Sequence, residues 1–368
     1  MKTIKKELEL PMNEHFPWFD QRTTMAFDIE TTGFSKQSNF IYLIGYSYQV
    51  DNKIVIKQLL ARNRLDEFTL LQSFFEDCLQ YSCLLTFNGD QFDIPFIIAR
   101  GNYHHLSTLA FEQMQRIDLY KRLKPYKKFL PIPSAKQKSF EEFLHTGRID
   151  EMDGGQLIQV YYEYEKTANS VLENLLLLHN FEDVNGLLEI QKLAVYEDLL
   201  HSQYINQSNY VLFEQSSEVL IIQDHSLEIP KQISFRNKFG YFHIEHSQRK
   251  LLLKIKKGLY QIPLLPYKDY VYLISEDTVI PKALASTVDS SNLKKANAKN
   301  CFLRTESECI DLPVSLKEQL DVYHIPVLYP QNSISPKFKT IAITKDDFFS
   351  HSDTLVPLIA NQLFHEFM

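Results

Sequence analysis

The chain has 368 residues, enough for two domains that each bury a core. Hydrophobic residues at 44%, charged residues at 23%, and 26 Phe with 20 Tyr against 10 Gly exclude a disordered polymer. A formal net charge of −7 excludes an overall basic nucleic-acid binder, so any contact with a phosphate backbone has to be local.

Lys2, Lys5, Lys6, Glu7 and Glu9 precede any apolar run, which is not the pattern of a secretory leader. Residues 23–30 (TTMAFDIE), 40–48 (FIYLIGYSY) and 53–60 (KIVIKQLL) predict three strands of a meander, the last two joined at Asp51-Asn52. Residues 66–80 set Phe68, Leu71, Phe74, Phe75 and Leu79 at helical spacing, and 83–87 (CLLTF) reads as a buried strand, so a crossover is implied. Helices are predicted over 93–100, 139–146, 155–166 and 169–193, giving an α/β first half with a mixed sheet flanked by helices.

Residues 116–138 carry Arg116, Lys121, Arg122, Lys124, Lys127, Lys128, Lys136 and Lys138, with Tyr120, Tyr126 and Phe129 interleaved. This basic patch fits either a solvated face or contact with single-stranded nucleic acid, whose bases stack on aromatic rings. Beyond residue 200, short alternating segments at 210–213, 219–223, 241–245, 250–256 and 270–274 predict a mostly β domain with a helix over 355–367. The expected domains are 1–200 and 201–368, divided near 201–208, with no internal repeat, and no chemistry or partner attaches to the second. No segment is long enough for a membrane helix. Cys78, Cys83, Cys301 and Cys309 form no CxxC pair, so reduced thiols and a cytoplasmic location are expected.

Three clusters carry candidate chemistry. Asp28 and Glu30, two apart on a predicted strand, share one face while Phe27 and Ile29 take the other. Two acids on one face repel, and a divalent cation or plain hydration at a sheet edge would relieve them. Thr31, Thr32 and Gly33 follow, small residues that let backbone N–H groups approach a phosphate or sugar. In the second cluster, TFNGDQFDIPFI at 86–97, the chain turns at Asn88-Gly89 and enters a helix near Asp93, which is either a site acid or a helix cap. The third, LLLLHNFEDVNGLLEIQ at 175–191, sets His179 and Asp183 four apart on one helical face, unless Asn180 caps a new helix there.

The stretch FDIETTGF resembles the first motif of DEDD-type exonucleases; a haloacid-dehalogenase phosphatase would want a second Asp where Glu30 stands. TFNGDQFDIPF resembles the second motif, and His179-Asn180-Phe181-Glu182-Asp183-Val184 resembles the third motif of the predicted ribonuclease H-like exonucleases related to YprB. RIDLY at 116–120 and the run at 139–164 are similar to the same family, so the likeness spans about residues 20–195. Four-residue spacing between His179 and Asp183 departs from the histidine subclass and is that of the tyrosine subclass.

The resemblance implies a ribonuclease H-like mixed five-stranded sheet and a metal-dependent 3′→5′ exonuclease acting on single-stranded DNA or RNA. Asp28, Glu30, Asp93 and Asp183 would hold two Mg²⁺ or Mn²⁺ ions, His179 would act as general base, and Thr31, Thr32, Gly33 and Asn88 would lie along the strand. Asp118 is a further acid near the site or a cap. Two other readings stand beside this one: a catalytically inactive nucleic-acid-binding adaptor, and a structure-specific endonuclease of the same superfamily.

Overall fold

A computed structural model describes residues 1–9, 23–200, 210–331 and 339–365. The chain forms two compact units: Met1–Glu197 with Ile229–Lys231, and Asp198–Glu228 with Gln232–Met368. The expected boundary at 201–208 lies outside the described residues.

In the first unit the elements are β1 (Lys2–Glu9), β2 (Thr24–Thr31), β3 (Ile41–Val50), β4 (Lys53–Leu60), α1 (Glu67–Cys78), β5 (Cys83–Thr86), α2 (Asp93–Tyr103), α3 (Leu109–Glu112), β6 (Gln115–Asp118), α4 (Leu119–Leu123), α5 (Gln137–Leu144), α6 (Gly154–Thr167), α7 (Ser170–Ile190) and α8 (Ala194–Leu200). Their sheet runs β1-β4-β3-β2-β5-β6. The first four strands pair antiparallel, while β5 joins β2 and β6 joins β5 in parallel, each after a helical crossover. The sheet thus has six strands where five were expected. The extra one is the charged segment Lys2–Glu9, which needs no apolar face because it lies at the edge with most side chains exposed.

Strand β2 lies inside the sheet, and Phe27 on one side packs against Phe74 and Phe111 at ring distances of 5.6 and 5.9 Å. Glu67 of α1 and Arg100 of α2 are both fully buried and bonded at 2.8 and 2.5 Å. Glu67 also accepts from Ile41 N at 2.9 Å and meets His104 Nε2 at 2.8 Å, so the buried carboxylate is saturated.

Helix α7 lies unusually close to two elements because glycine stands at each crossing. A Cβ on Gly45 of β3 would be 2.0 Å from Asn180 Oδ1, and one on Gly186 of α7 would be 1.9 Å from Glu141 Oε1. Ile229–Lys231 returns to this unit: Tyr196 donates its hydroxyl to Lys231 O and accepts from Lys231 N at 3.2 Å, while Lys231 Nζ donates to Phe143 O at 3.2 Å.

The second unit contains β7 (Tyr210–Gln215), β8 (Glu218–Asp224), β9 (Ile233–Arg236), β10 (Gly240–Ile244), β11 (Gln248–Pro263), β12 (Tyr270–Leu273), β13 (Thr278–Pro281), β14 (Leu293–Lys295), β15 (Phe302–Pro313), α9 (Lys317–Val322), β16 (Tyr329–Pro330), β17 (Thr340–Thr344), α10 (Lys345–Ser350) and α11 (Ser352–His365). It is mostly β, as expected. An eight-stranded sheet is organised by β11, which pairs with β8 and β10 along its first half and with β15 and β16 along its second. A three-stranded sheet, β13-β12-β14, stands apart. Among the described residues no helix is long and apolar enough to cross a membrane.

Candidate active site and metal centre

The site is built where β2 runs past the end of its parallel partner. Pairing with β5 covers only Thr24 to Ala26, so the backbone N–H of Ile29 is left without a strand partner there. Asp93 takes it, its Oδ1 accepting from Ile29 N at 3.3 Å. That places Asp93 in the first turn of α2 against the strand that carries Asp28 and Glu30; no side chain caps this helix, so the cap reading of Asp93 fails. The approach is set by the turn at Asn88, whose φ of 62° is left-handed and whose N–H donates to Asp118 Oδ1 at 2.7 Å. Asp118 also accepts from Tyr120 N at 3.0 Å and so serves as a cap, with its second oxygen buried and unbonded.

Helix α7 supplies the opposite wall as one continuous helix, so Asn180 caps nothing. Asp28, Gly45 and Gln58 stand in register across β2, β3 and β4. Asn180 spans that row: its Nδ2 donates to Asp28 Oδ2 at 3.1 Å and its Oδ1 accepts from Gln58 Nε2 at 3.0 Å. Flanking this anchor on the same helix, His179 and Asp183 face Glu30: His179 Nε2 lies 3.0 Å from Asp183 Oδ2 and 3.5 Å from Glu30 Oε1.

The ionisation of the cluster follows from burial and mutual charge. Burial, then the charges of Asp183, Asp93 and Glu30, push the Asp28 carboxyl well above its ordinary value, against the Asn180 amide. Burial takes Glu30 up to about 8, with His179 opposing and Asp183, Asp93 and Asp150 adding. Burial likewise takes Asp93 up to about 7 despite the N–H groups bonded to it. Burial acts on Asp183 in the same sense, but His179 and Arg148 outweigh it and hold that carboxyl below the usual range. For His179, burial works against the charged ring, yet Asp183, Glu30 and Asp150 win and raise it to about 9.

Sequence reasoning missed the loop that closes this site, residues 145–153 between α5 and α6. Arg148, almost buried, donates from Nη1 to Asp183 Oδ1 at 2.7 Å and to Glu141 Oε2 at 3.1 Å, and from Nη2 to Asp150 Oδ2 at 3.2 Å. Asp150 Oδ2 stands 2.7 Å from His179 Nδ1. Glu182 pins the loop by accepting from Ile149 N and Asp150 N at 3.0 and 2.8 Å. The visible signal was an Arg and an Asp two apart, Arg148-Ile149-Asp150, inside an otherwise polar connection.

The remaining expected residues stand at the edge of this cluster. Register slips between Glu30 and Thr31, the kind of irregularity that re-aims a strand end. Thr31 Oγ1 donates to Gly33 O at 2.9 Å, and Thr32 exchanges bonds with Phe40, so both hydroxyls shape the loop. Gly33 has a φ of 151°, and a Cβ there would strike the Asn39 amide at 2.8 Å. Asn88, with Phe87, Tyr120, Lys124 and Lys136, lines a groove of about 580 Å³. Of the basic patch, Lys124 lies over the Tyr120 ring at 5.1 Å, whereas Lys121 is paired with Asp90 and Lys138 with Asp150.

The donor set fits a divalent cation. Four carboxylates, three of them raised by burial and by one another's charge and the fourth already drawing the Arg148 guanidinium, form an oxygen-rich pocket that favours added positive charge. Glu30, His179 and Asp183 present one ligand atom each within 4.8 Å of one another.

Residues 25–195 match the family model RNase_H_2 of the RNase H superfamily. The uncharacterised protein YprB of Bacillus subtilis is 26% identical over 176 residues, covering 47% of this chain and 42% of that one. The catalytic polypeptide of DNA polymerase epsilon from Schizosaccharomyces pombe is 33% identical over 113 residues, covering 23% of this chain and 5% of that one. The chain therefore spans less than half the length of these curated relatives. Among solved structures, a family B DNA polymerase from the archaeon Pyrobaculum calidifontis is similar at a TM-score of 0.39 and 11% identity, over 92% of this chain and 46% of that one. An exonuclease I in complex with the inhibitor BCBP is similar at 0.29 and 11% identity, over 95% and 74%.

Proposed function

Because residues 25–195 form a ribonuclease H-like domain, we propose that the chain is a divalent-metal-dependent 3′→5′ exonuclease of single-stranded DNA or RNA. The observation that carries this reading is the meeting of Asp28, Glu30, Asp93 and Asp183, brought from two helices and a strand end, with Asp28, Glu30 and Asp93 each sensing the charge of Asp183. Such a set would hold two Mg²⁺ or Mn²⁺ ions, which when bound would supply an activated water and neutralise the phosphate and the leaving oxygen.

The protein's own groups do the positioning. Asn180 fixes Asp28 from the Gln58 side, and the Ile29 N–H fixes Asp93, so two ligand carboxylates are aimed before any ion arrives. The Asn88 groove, with Tyr120 for a base and Lys124 and Lys136 for phosphates, suits a single strand leading to the site. Thr31, Thr32 and Gly33 offer backbone near its 3′ end. A metal-centred site also reconciles a net charge of −7 with a polyanionic substrate, because the local sign is reversed.

The test is digestion of a 3′-labelled single strand in Mn²⁺, with and without EDTA. Wild type should release mononucleotides only with metal, while Asp28→Ala and Asp183→Ala should keep the wild-type circular dichroism spectrum and release none. Full activity in either variant overturns the assignment, and oligonucleotide products would mark an endonuclease.

A further inference from the structure

We propose that His179 is a direct ligand of the divalent cation through Nε2, with Asp150 as the residue that aims it, so the site selects Mn²⁺ over Mg²⁺. The proposal rests on the metal-dependent reading above and sharpens it by assigning one nitrogen to a ligand set otherwise made of carboxylate oxygens.

Three features of the geometry carry it. The first is spacing: His179 and Asp183 are four apart on α7 and present Nε2 and Oδ2 3.0 Å from each other, with Glu30 Oε1 of β2 at 3.5 Å from the same nitrogen. Neighbouring ligands on a six-coordinate ion with bonds of about 2.1 Å are separated by about 3 Å, so Nε2 stands near ligand-to-ligand distance from each oxygen, and all three atoms lie within 4.8 Å of one another. The i, i+4 arrangement on one helix face is also how paired side chains chelate a single metal.

The second feature is the far side of the ring. His179 Nδ1 meets Asp150 Oδ2 at 2.7 Å, and that carboxylate is held by Arg148 Nη2 and Lys138 Nζ, each at 3.2 Å, and by Met152 N, which donates to Oδ1 at 3.3 Å. Asp150 is therefore an acceptor for the Nδ1 proton, and Nε2 points at Glu30 and Asp183, so a cation bound there would displace the proton Nε2 shares with Asp183 and take the lone pair so freed. A carboxylate behind a histidine in this way is the usual outer partner of a metal-bound imidazole.

The third is enclosure. The His179 side chain is only 7% exposed, so the ring has little room to turn Nε2 away from the acids toward open solvent. A general base needs Nε2 open to water; here Nε2 faces the metal-binding oxygens. An imidazole in place of one oxygen favours Mn²⁺ and later transition ions, whereas Mg²⁺ prefers oxygen throughout.

The experiment uses the full chain, stripped with EDTA and loaded with Mn²⁺, and reads ¹⁴N couplings by pulsed electron paramagnetic resonance, with affinities for Mn²⁺ and Mg²⁺ by calorimetry. Wild type should show imidazole ¹⁴N coupling to the bound ion. His179→Gln, or His179→Asp, which keeps a ligand oxygen, should bind Mn²⁺ without that coupling and lose most of its preference over Mg²⁺. Asp150→Asn should weaken Mn²⁺ by about 10- to 100-fold while changing Mg²⁺ less. Mn²⁺ bound at the site, as judged by its loss in Asp28→Ala, but lacking ¹⁴N coupling in wild type would overturn the ligand role and leave the metal-dependent reading standing. Absence of Mn²⁺ binding, or binding indifferent to Asp28→Ala, would overturn both; neither of these outcomes needs the His179 variants to fold.

Discussion

Replacing Gly45 by alanine tests the fold and the site together. The new methyl would stand 2.0 Å from Asn180 Oδ1 and 2.8 Å from its Cγ. Asn180 is fully buried and bonded on both sides, so its amide has nowhere to rotate and α7 has to lift from the sheet. Overpacking of this kind costs about 1–3 kcal/mol, and stranding the buried amide partners adds about 1–3 kcal/mol more. A loss of roughly 2–6 kcal/mol at about 2–4 °C per kcal/mol lowers the melting temperature on the order of 10 °C. Because Asn180 steadies Asp28, Mn²⁺ affinity should fall by about 10-fold or more as well. Gly258→Ala is the control, since a Cβ there meets nothing closer than 4.0 Å. Calorimetric melting and Mn²⁺ titration of both variants check this; a Gly45→Ala protein melting within about 1 °C of wild type would refute the tight seating of α7.

Two further outcomes are expected. Glu67→Gln leaves Arg100 charged and fully buried without its counter-ion, which should cost about 3–5 kcal/mol in urea denaturation, and a cost below about 1 kcal/mol would contradict the buried pair. In EDTA, stability should fall as pH rises from about 5 to about 9. Glu30 and Asp93 titrate at about 8 and about 7 in the fold, above ordinary carboxylates, so their contribution is complete at low pH and is lost as pH climbs through those values. His179, raised to about 9 from 6.5, acts in the same sense, whereas Asp183 and Asp150 are depressed and exert their effect only in acid. Melting curves across this range, with Mn²⁺ stabilising most at the alkaline end, check the sign; a profile that rises toward pH ~9 sinks it.

The legible parts of the sequence were those whose pattern repeats locally. The apolar, β-prone runs at 23–30, 40–48 and 53–60 reported the meander because these strands are buried along most of their length, and α1 showed itself through Leu71 and Phe74. Segment Lys2–Glu9 stayed hidden because an edge strand is free to be charged, and Gln115–Asp118 because four residues are too few to show a period. Asp28, Glu30, Asp93, His179 and Asp183 were found as motifs, and the structure brings them into one cluster. Arg148, Asp150 and Asn180 were not, since each acts by bonding a residue remote in sequence. Gly45 and Gly186 escaped for a related reason: a glycine demanded by a neighbour leaves no mark in its own strand or helix.

The short return of Ile229–Lys231 has a practical side. Cutting the polypeptide at residue 200 removes the partner of Tyr196, a phenol only 1% exposed, and the ammonium that sits 4.8 Å above the Phe143 ring. A truncated front half would thus carry an unsatisfied interior hydroxyl and a bared aromatic. Anyone isolating it for crystallisation or assay does better to retain the polypeptide through Lys231, or to graft those three residues back by a linker.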